Sequence, residues 1–193
     1  MNESVKKAYD LSVAINSALE GVQIPNKDSH FLPTLFHSTV IEHHRSIVTL
    51  IDKSLHGSAS ALVRPLFESY VKGLWFSTCA SQSDFNKLRK DKFEKKFGDL
   101  VSDIDKVNNN GLAKPKKNYW PTLNSLTHSG AAQLGRKYSG DKITNSHTDD
   151  FLKEILDFSG NYALLSCGEI AKLSGNEKSQ AAFLSIASEV HGL

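Results

Sequence analysis

Arg64, Glu68 and Lys72 recur at four-residue spacing within "ALVRPLFESYVKGLW", residues 61–75. Helical spacing of four puts Arg64 beside Glu68 and Glu68 beside Lys72. Leu62, Leu66, Tyr70 and Gly73 fill a second side of that helix, and Val63, Phe67 and Leu74 a third. The charged stripe is therefore left for solvent, a partner subunit or a cleft. Pro65 has no N–H, so it strips the Ala61 carbonyl of its helical donor and predicts a kink next to the arginine. Polar backbone beside a cationic side chain suits a site, whereas a surface ion-pair stripe on a bent helix is the plain alternative. A second constellation lies in "YWPTLNSLTHSG", where Asn124 and His128 share one helix face. His128 falls at the C-terminal end, where the helix dipole favours a cation. An imidazole there can act as acid or base near neutral pH, or simply cap the last carbonyls.

The segment Asp28–Leu55 carries His30, His37, His43 and His44. Three of them are seven residues apart, a rise of ~10.5 Å, whereas zinc holds nitrogen ligands at about 2.0–2.1 Å. His43 and His44 diverge by about a third of a turn, and no His-Glu-x-x-His pattern occurs, so no metal is expected. His43 lies on the stripe Phe36, Val40, Ile47, Leu50, and His44 on the stripe His37, Ile41, Val48, Ile51. Both faces are apolar, which predicts polar core residues satisfied by Glu68 or Ser69 of the next helix. A catalytic role for one of them is the alternative. Finally, Lys114, Lys116 and Lys117 precede Tyr119 and Trp120. Cations for phosphates and rings for bases are what single-stranded nucleic-acid binding uses, although short mixed-charge loops are common on any surface.

The elements that position these groups read as helices. Val5, Ala8, Leu11, Ile15 and Leu19 mark an amphipathic first helix ended by Gly21. A long helix follows from about Ser29 to Leu55, capped by Ser29 or Asp28, with Pro33 placed in its tolerant beginning. "HGS" at 56–58 predicts a break, with Ser58 capping the helix of the charged stripe. Two short charged helices divided near Gly98, a surface loop "NNNGLAKPKKN", the short helix with His128 and a turn-rich connection come next. A long helix closed by Gly175 and an amphipathic tail complete the chain. No alternating run bounded by hairpin turns is evident. The fold expected is all-α, an up-and-down bundle with additional short helices. It forms a single domain over 1–193, its core helices at about 29–175 and the terminal helices packed on them.

Bulk properties narrow the function classes. A chain of 193 residues is long enough to bury about 70% of its unfolded surface without disulfides or a structural metal. The net charge of +2 is too small to imply wholesale nucleic-acid or membrane binding, so an electrostatic site must come from local clustering. Cys79 and Cys167 lie far apart in apolar helical stretches, as buried thiols of a reducing compartment do. The start lacks a secretion-type apolar core and no run approaches ~18 apolar residues, which predicts a cytoplasmic protein without a membrane partner. No phosphate-cradling glycine loop and no nucleophile elbow occurs. No cofactor is expected.

The Leu-x-Arg-x-Leu-x-Glu pattern of residues 62–68 follows a histidine-bearing helix and precedes "LNSLTHSG". Over roughly residues 30–175 the chain resembles the HEPN superfamily, in particular an all-helical bacterial branch of it. The resemblance implies a helical bundle that often forms homodimers. Many members are metal-independent ribonucleases of toxin–antitoxin, CRISPR-linked and anti-phage systems. Active members carry an arginine followed four to six residues later by a histidine near a helix end. No arginine here has a histidine at that distance. His128 falls at the family's histidine, and Asn124 or a neighbour at its arginine. The function expected is therefore a HEPN-like protein of bacterial conflict that binds RNA or a cognate protein and is catalytically weak or inactive. The alternative is an endoribonuclease with a rearranged site of Arg64, Glu68, Asn124 and His128, in which Arg64 binds phosphate and His128 is the acid or base. A third is an immunity or antitoxin protein whose charged face matches a toxin.

Overall fold

Helix α2, Asp28–Asp52, is the axis of the structure because it is apolar on two sides. The computed structural model describes residues 1–108 and 111–192. In it α2 packs against both α4, Val63–Thr78, and α9, Asp149–Ser174. Val40, Ile47, Leu66, Phe67, Leu74, Leu152 and Leu156 are buried between these three helices. Helix α1, Asn2–Ala18, and α10, Glu177–His191, lie against α9 and enclose a second cluster of Ile15, Ile41, Ala163, Leu164 and Cys167. Gly175 turns α9 into α10 with φ of 67°, a left-handed conformation that a side chain would resist. The all-helical class expected from the periodicity is what the chain adopts. No described helix is long and apolar enough to cross a membrane.

The connecting elements differ from the sequence reading. The break expected at "HGS" falls just before it, at Lys53–Leu55, and His56–Gly57–Ser58 open α3, His56–Ala61, whose N-cap is Leu55. A second interruption is at Leu62, between α3 and α4, because Pro65 denies the Ala61 carbonyl its helical donor. Pro33 lies in the second turn of α2, and neither Asp28 nor Ser29 caps that helix; Asp28 instead binds Arg89. Helices α5, Gln82–Arg89, and α6, Phe97–Asn108, are divided by Lys90–Lys96, and Gly98 is inside α6. Of the expected loop "NNNGLAKPKKN", residues 109 and 110 lie outside the described residues, and Ala113 onward is helix α7, Ala113–Thr127. Asp105 of α6 explains the early start, since its carboxylate accepts from the Leu112 and Ala113 N–H groups at 2.9 Å each. After α8, Ala131–Leu134, a minimal hairpin pairs β1, Tyr138–Ser139, with β2, Lys142–Ile143, where no hairpin was expected. Gly140 supplies its positive φ.

Two histidines set the register of α2 on α9. His37 Nδ1 meets Ser166 Oγ at 3.2 Å and His44 Nδ1 meets Ser159 Oγ at 2.9 Å. The seven-residue step forward on α2 matches a seven-residue step back on α9, so the helices are antiparallel. The partners expected, Glu68 and Ser69, are not used: His44 turns to Ser159 of α9, while His37 meets Ser166 of α9 and rests against Tyr70 and Gly73 of α4. His43, one residue away, is half-buried on the neighbouring face. Among the described residues no group of three or more His, Cys, Asp or Glu could hold a metal ion.

Gly73 of α4 is what lets the His37 ring sit in the core. A Cβ there would stand 2.8 Å from His37 Nε2 and 2.9 Å from its Cε1. The ring is fully buried and cannot swing away. Gly73→Ala is therefore expected to destabilise the fold by ~1–2 kcal/mol, overpacking outweighing the ~0.5–1 kcal/mol helix-propensity gain. Urea unfolding of Gly73→Ala alone and combined with His37→Ala checks this. The penalty should vanish in the double variant.

Candidate functional site

Helix α7 presents Trp120, Asn124 and His128 at four-residue spacing, so they share one face. Helix α4 presents Arg64 and Glu68 in the same way, and the two faces meet. Arg64 Nε donates to Glu68 Oε1 at 2.9 Å, and Nη2 reaches the same oxygen at 2.9 Å. That grip leaves Nη1 pointing across the seam, where it is hydrogen-bonded to His128 Nε2. The guanidinium carbon lies 5.0 Å from the Trp120 ring centroid, close enough for a cation–π contact. Arg64, Glu68, Asn124 and His128 are thus brought to one place from positions 64 residues apart in the chain. Lys72 is left out: Glu68 pairs back to Arg64, and among the described residues Lys72 makes no ion pair. His43 and His44 are not part of this seam either.

The break in the helix contributes directly. Thr127 Oγ1 donates to the Ala61 carbonyl at 3.2 Å, sharing its proton with the Leu123 carbonyl at 3.0 Å. The carbonyl freed by Pro65 thereby ties α3 to α7 one turn before Arg64 and one residue before His128. Thr127→Val keeps the shape and removes the donor. It is expected to cost ~1 kcal/mol in chemical denaturation, the usual worth of a half-buried hydrogen bond. His128 itself is exposed and is the C-cap of α7, its N–H bonded to the Asn124 carbonyl at 3.0 Å. The Asn124 Oδ1 atom is buried without a hydrogen-bond partner, so of this face the exposed polar group is His128.

A groove of about 670 Å³ runs beside the seam between α6 and α7. Lys106, Lys116, Lys117 and Trp120 line it, and its one carboxylate, Asp105, is engaged by the start of α7. Trp120 is held by Phe97, stacked at 3.9 Å and 5°. Of the lysine–aromatic group read from the sequence, Lys116, Lys117 and Trp120 share this groove, while Lys114 is exposed and does not line it. Tyr119 points away, packing edge-on against Phe158 in a cleft lined by Asp150, Lys153, Glu154 and Asp157. Because these residues are helical rather than loop, they fan around α7 instead of forming one strip. The roles of Thr127, Phe97 and Lys106 were not legible in the sequence, since none belongs to a local motif.

The arrangement holds a guanidinium and an imidazole together at the edge of a cationic groove. Such a set can bind a phosphodiester and move a proton. No curated protein and no solved structure matches the chain. A family model does match it over residues 37–192, a span that takes in α4, α7 and the whole of the seam. The chain belongs to DUF6988, a family of unknown function.

Proposed function

We propose that the chain is a metal-independent endoribonuclease of HEPN-like type, acting in bacterial conflict as a cytoplasmic homodimer. The observation that carries this reading is the contact between Arg64 and His128, which supplies through the fold the pair that active HEPN proteins hold on one helix. Arg64 binds the non-bridging oxygens of the scissile phosphate. His128, neutral, takes the proton of the ribose 2′-hydroxyl as O2′ attacks phosphorus. The P–O5′ bond then breaks, and O5′ leaves with a proton returned by the same imidazolium or by water. The products are a 2′,3′-cyclic phosphate and a 5′-hydroxyl end.

In the free protein Arg64 covers His128 Nε2, the nitrogen such a base needs. A bound phosphate would draw the guanidinium off and free it. The groove with Lys106, Lys116 and Lys117 supports a single strand running past Trp120. The test is incubation of the protein with single-stranded RNA in a chelator, with product ends mapped. Cyclic-phosphate ends that persist without divalent metal are expected. Failure to cut any RNA would leave the second reading, a HEPN-like module that binds RNA or a cognate protein without chemistry. That reading is favoured by Glu68, which neutralises Arg64.

A further inference from the structure

His56 and His147 meet on the far side of α3 from the seam, with ring centroids 5.4 Å apart and planes at 67°. His56 opens α3, and His147 ends the connection that leads into α9. Three of their nitrogens, His56 Nδ1 and both nitrogens of His147, are buried without a hydrogen-bond partner. Two cations stand beside them. Arg136 lies 4.0 Å over the Phe151 ring, which also packs on His147, and donates to the Ala132 carbonyl. The Lys137 ammonium rests against Gly57, 3.3 Å from where a Cβ would stand. Among the described residues neither Arg136 nor Lys137 has a carboxylate within ion-pair reach.

The chain spends structure on holding this group. Thr144 N–H donates to the Lys137 carbonyl at 2.8 Å, Ser146 N–H to the Arg136 carbonyl at 2.8 Å, and Asn145 Nδ2 to the Ser54 carbonyl at 3.2 Å. The hairpin is thereby folded back so that His147 meets His56, with Lys137 against Gly57 and the Arg136 charge acting on His147. The acids that begin α9 are engaged elsewhere: Asp149 pairs with the Met1 ammonium, and Asp150 lines the cleft of Tyr119. Burial first, then the charges of His56, Arg136 and Lys137, push the His147 imidazole down to about 4. A neutral imidazole has one N–H, so His147 offers one donor here, and with two cations that no carboxylate compensates the cluster suits an anion. A metal cation is a poor occupant, since two imidazoles among two ammonium-type charges repel it.

We propose that His56, His147, Arg136 and Lys137 form a binding site for a phosphoryl group. A phosphoryl offers three or more acceptor oxygens to these four donors, where a carboxylate offers two. The site is distinct from the Arg64–His128 seam but in line with it. Gln133 bonds the Gly57 carbonyl at one end of α3 and Thr127 the Ala61 carbonyl at the other. Seven residues separate Gly57 from Arg64, across the interruption at Leu62. Resting on the ribonuclease reading, the natural source is a neighbouring phosphate of the same RNA strand. Free phosphate would use the same chemistry.

Histidine ring-proton NMR titrations of the full chain test it, with inorganic phosphate added in one arm and a single-stranded RNA oligonucleotide in the other. Phosphate should move the His147 midpoint upward by about one unit, a tenfold gain in proton affinity. Lys137→Ala, an exposed position, should abolish the shift, and Arg64→Ala should keep it. Response to both ligands supports an RNA subsite, and response to phosphate alone supports a free phosphoryl ligand. Absence of a His56 or His147 shift in both arms overturns the proposal, as does an equal shift in Lys137→Ala. A phosphate shift in a protein that never cuts RNA would leave this site standing while the ribonuclease reading fell.

Discussion

His128→Ala is expected to reduce RNA cleavage by ~10²–10⁴, the usual worth of a positioned acid or base. Arg64→Ala should cost ~10²–10³, because it removes the charge that meets the developing phosphorane. The two losses should not add, since Arg64 and His128 act as one unit on the same phosphate. Glu68→Gln separates positioning from chemistry. Its amide can still accept from Arg64, but it no longer neutralises the guanidinium, so cleavage should fall modestly through orientation while RNA affinity rises. All three substitutions lie at partly or fully exposed positions of α4 and the end of α7. Urea midpoints should therefore stay close to wild type, and a lost activity cannot be ascribed to unfolding. Single-turnover cleavage of a short labelled RNA measures all of these. Cleavage that survives in both His128→Ala and Arg64→Ala removes the seam from the chemistry.

How the seam arises shows which parts of it were readable in the chain. The four-residue spacing of Arg64 with Glu68, and of Asn124 with His128, placed each pair on a helix face before any coordinates were known. The effect of Pro65 on the Ala61 carbonyl was equally local. What the spacing could not say is which helix faces which. Asp105 caps α7 from another helix, a tertiary contact, so the lysine run looked like a loop and its helical fan was missed. His44 illustrates the same limit. Its stripe was visibly apolar, but sequence proximity suggested α4, whereas α2 buries one side on α9 and Ser159 is 115 residues away. The His56–His147 cluster had no local signature at all, because His147 arrives through a hairpin only two residues per strand.

Acid is expected to unfold this protein well above the usual carboxylate range, through the same two histidines that set the α2–α9 register. Burial, then the Lys172 charge, drives His37 down to about 3. Burial drives His44 down to about 4, with the Ala8 carbonyl working against it. In the unfolded chain both titrate near 6.5. The fold therefore favours the neutral rings, and the unfolded state takes up protons first as pH falls. Stability should be complete above about pH 6.5 and drain away between there and pH 3–4. Each ring contributes a slope of about 1.4 kcal/mol per pH unit. Two rings over two units come to ~5 kcal/mol, comparable with the whole stability of a typical domain. Carboxylates lowered by their partners, Asp84 by Ser81 and Asp103 by Lys95, act with the same sign but only below about pH 4. Glu169, raised by burial, acts with the opposite sign. The interval from pH 6.5 to 5 thus belongs to the histidines. Unfolding free energies from urea titrations at pH 7.5 and 5.0 should differ by about 3–4 kcal/mol in the wild type, and His44→Gln should roughly halve the difference. His147, also lowered to about 4, acts in the same window, but solvent screening at its half-exposed ring reduces its share, so His147→Gln should narrow the difference less than His44→Gln does. Equal stability at the two pH values would mean that neither buried ring is held neutral by the fold.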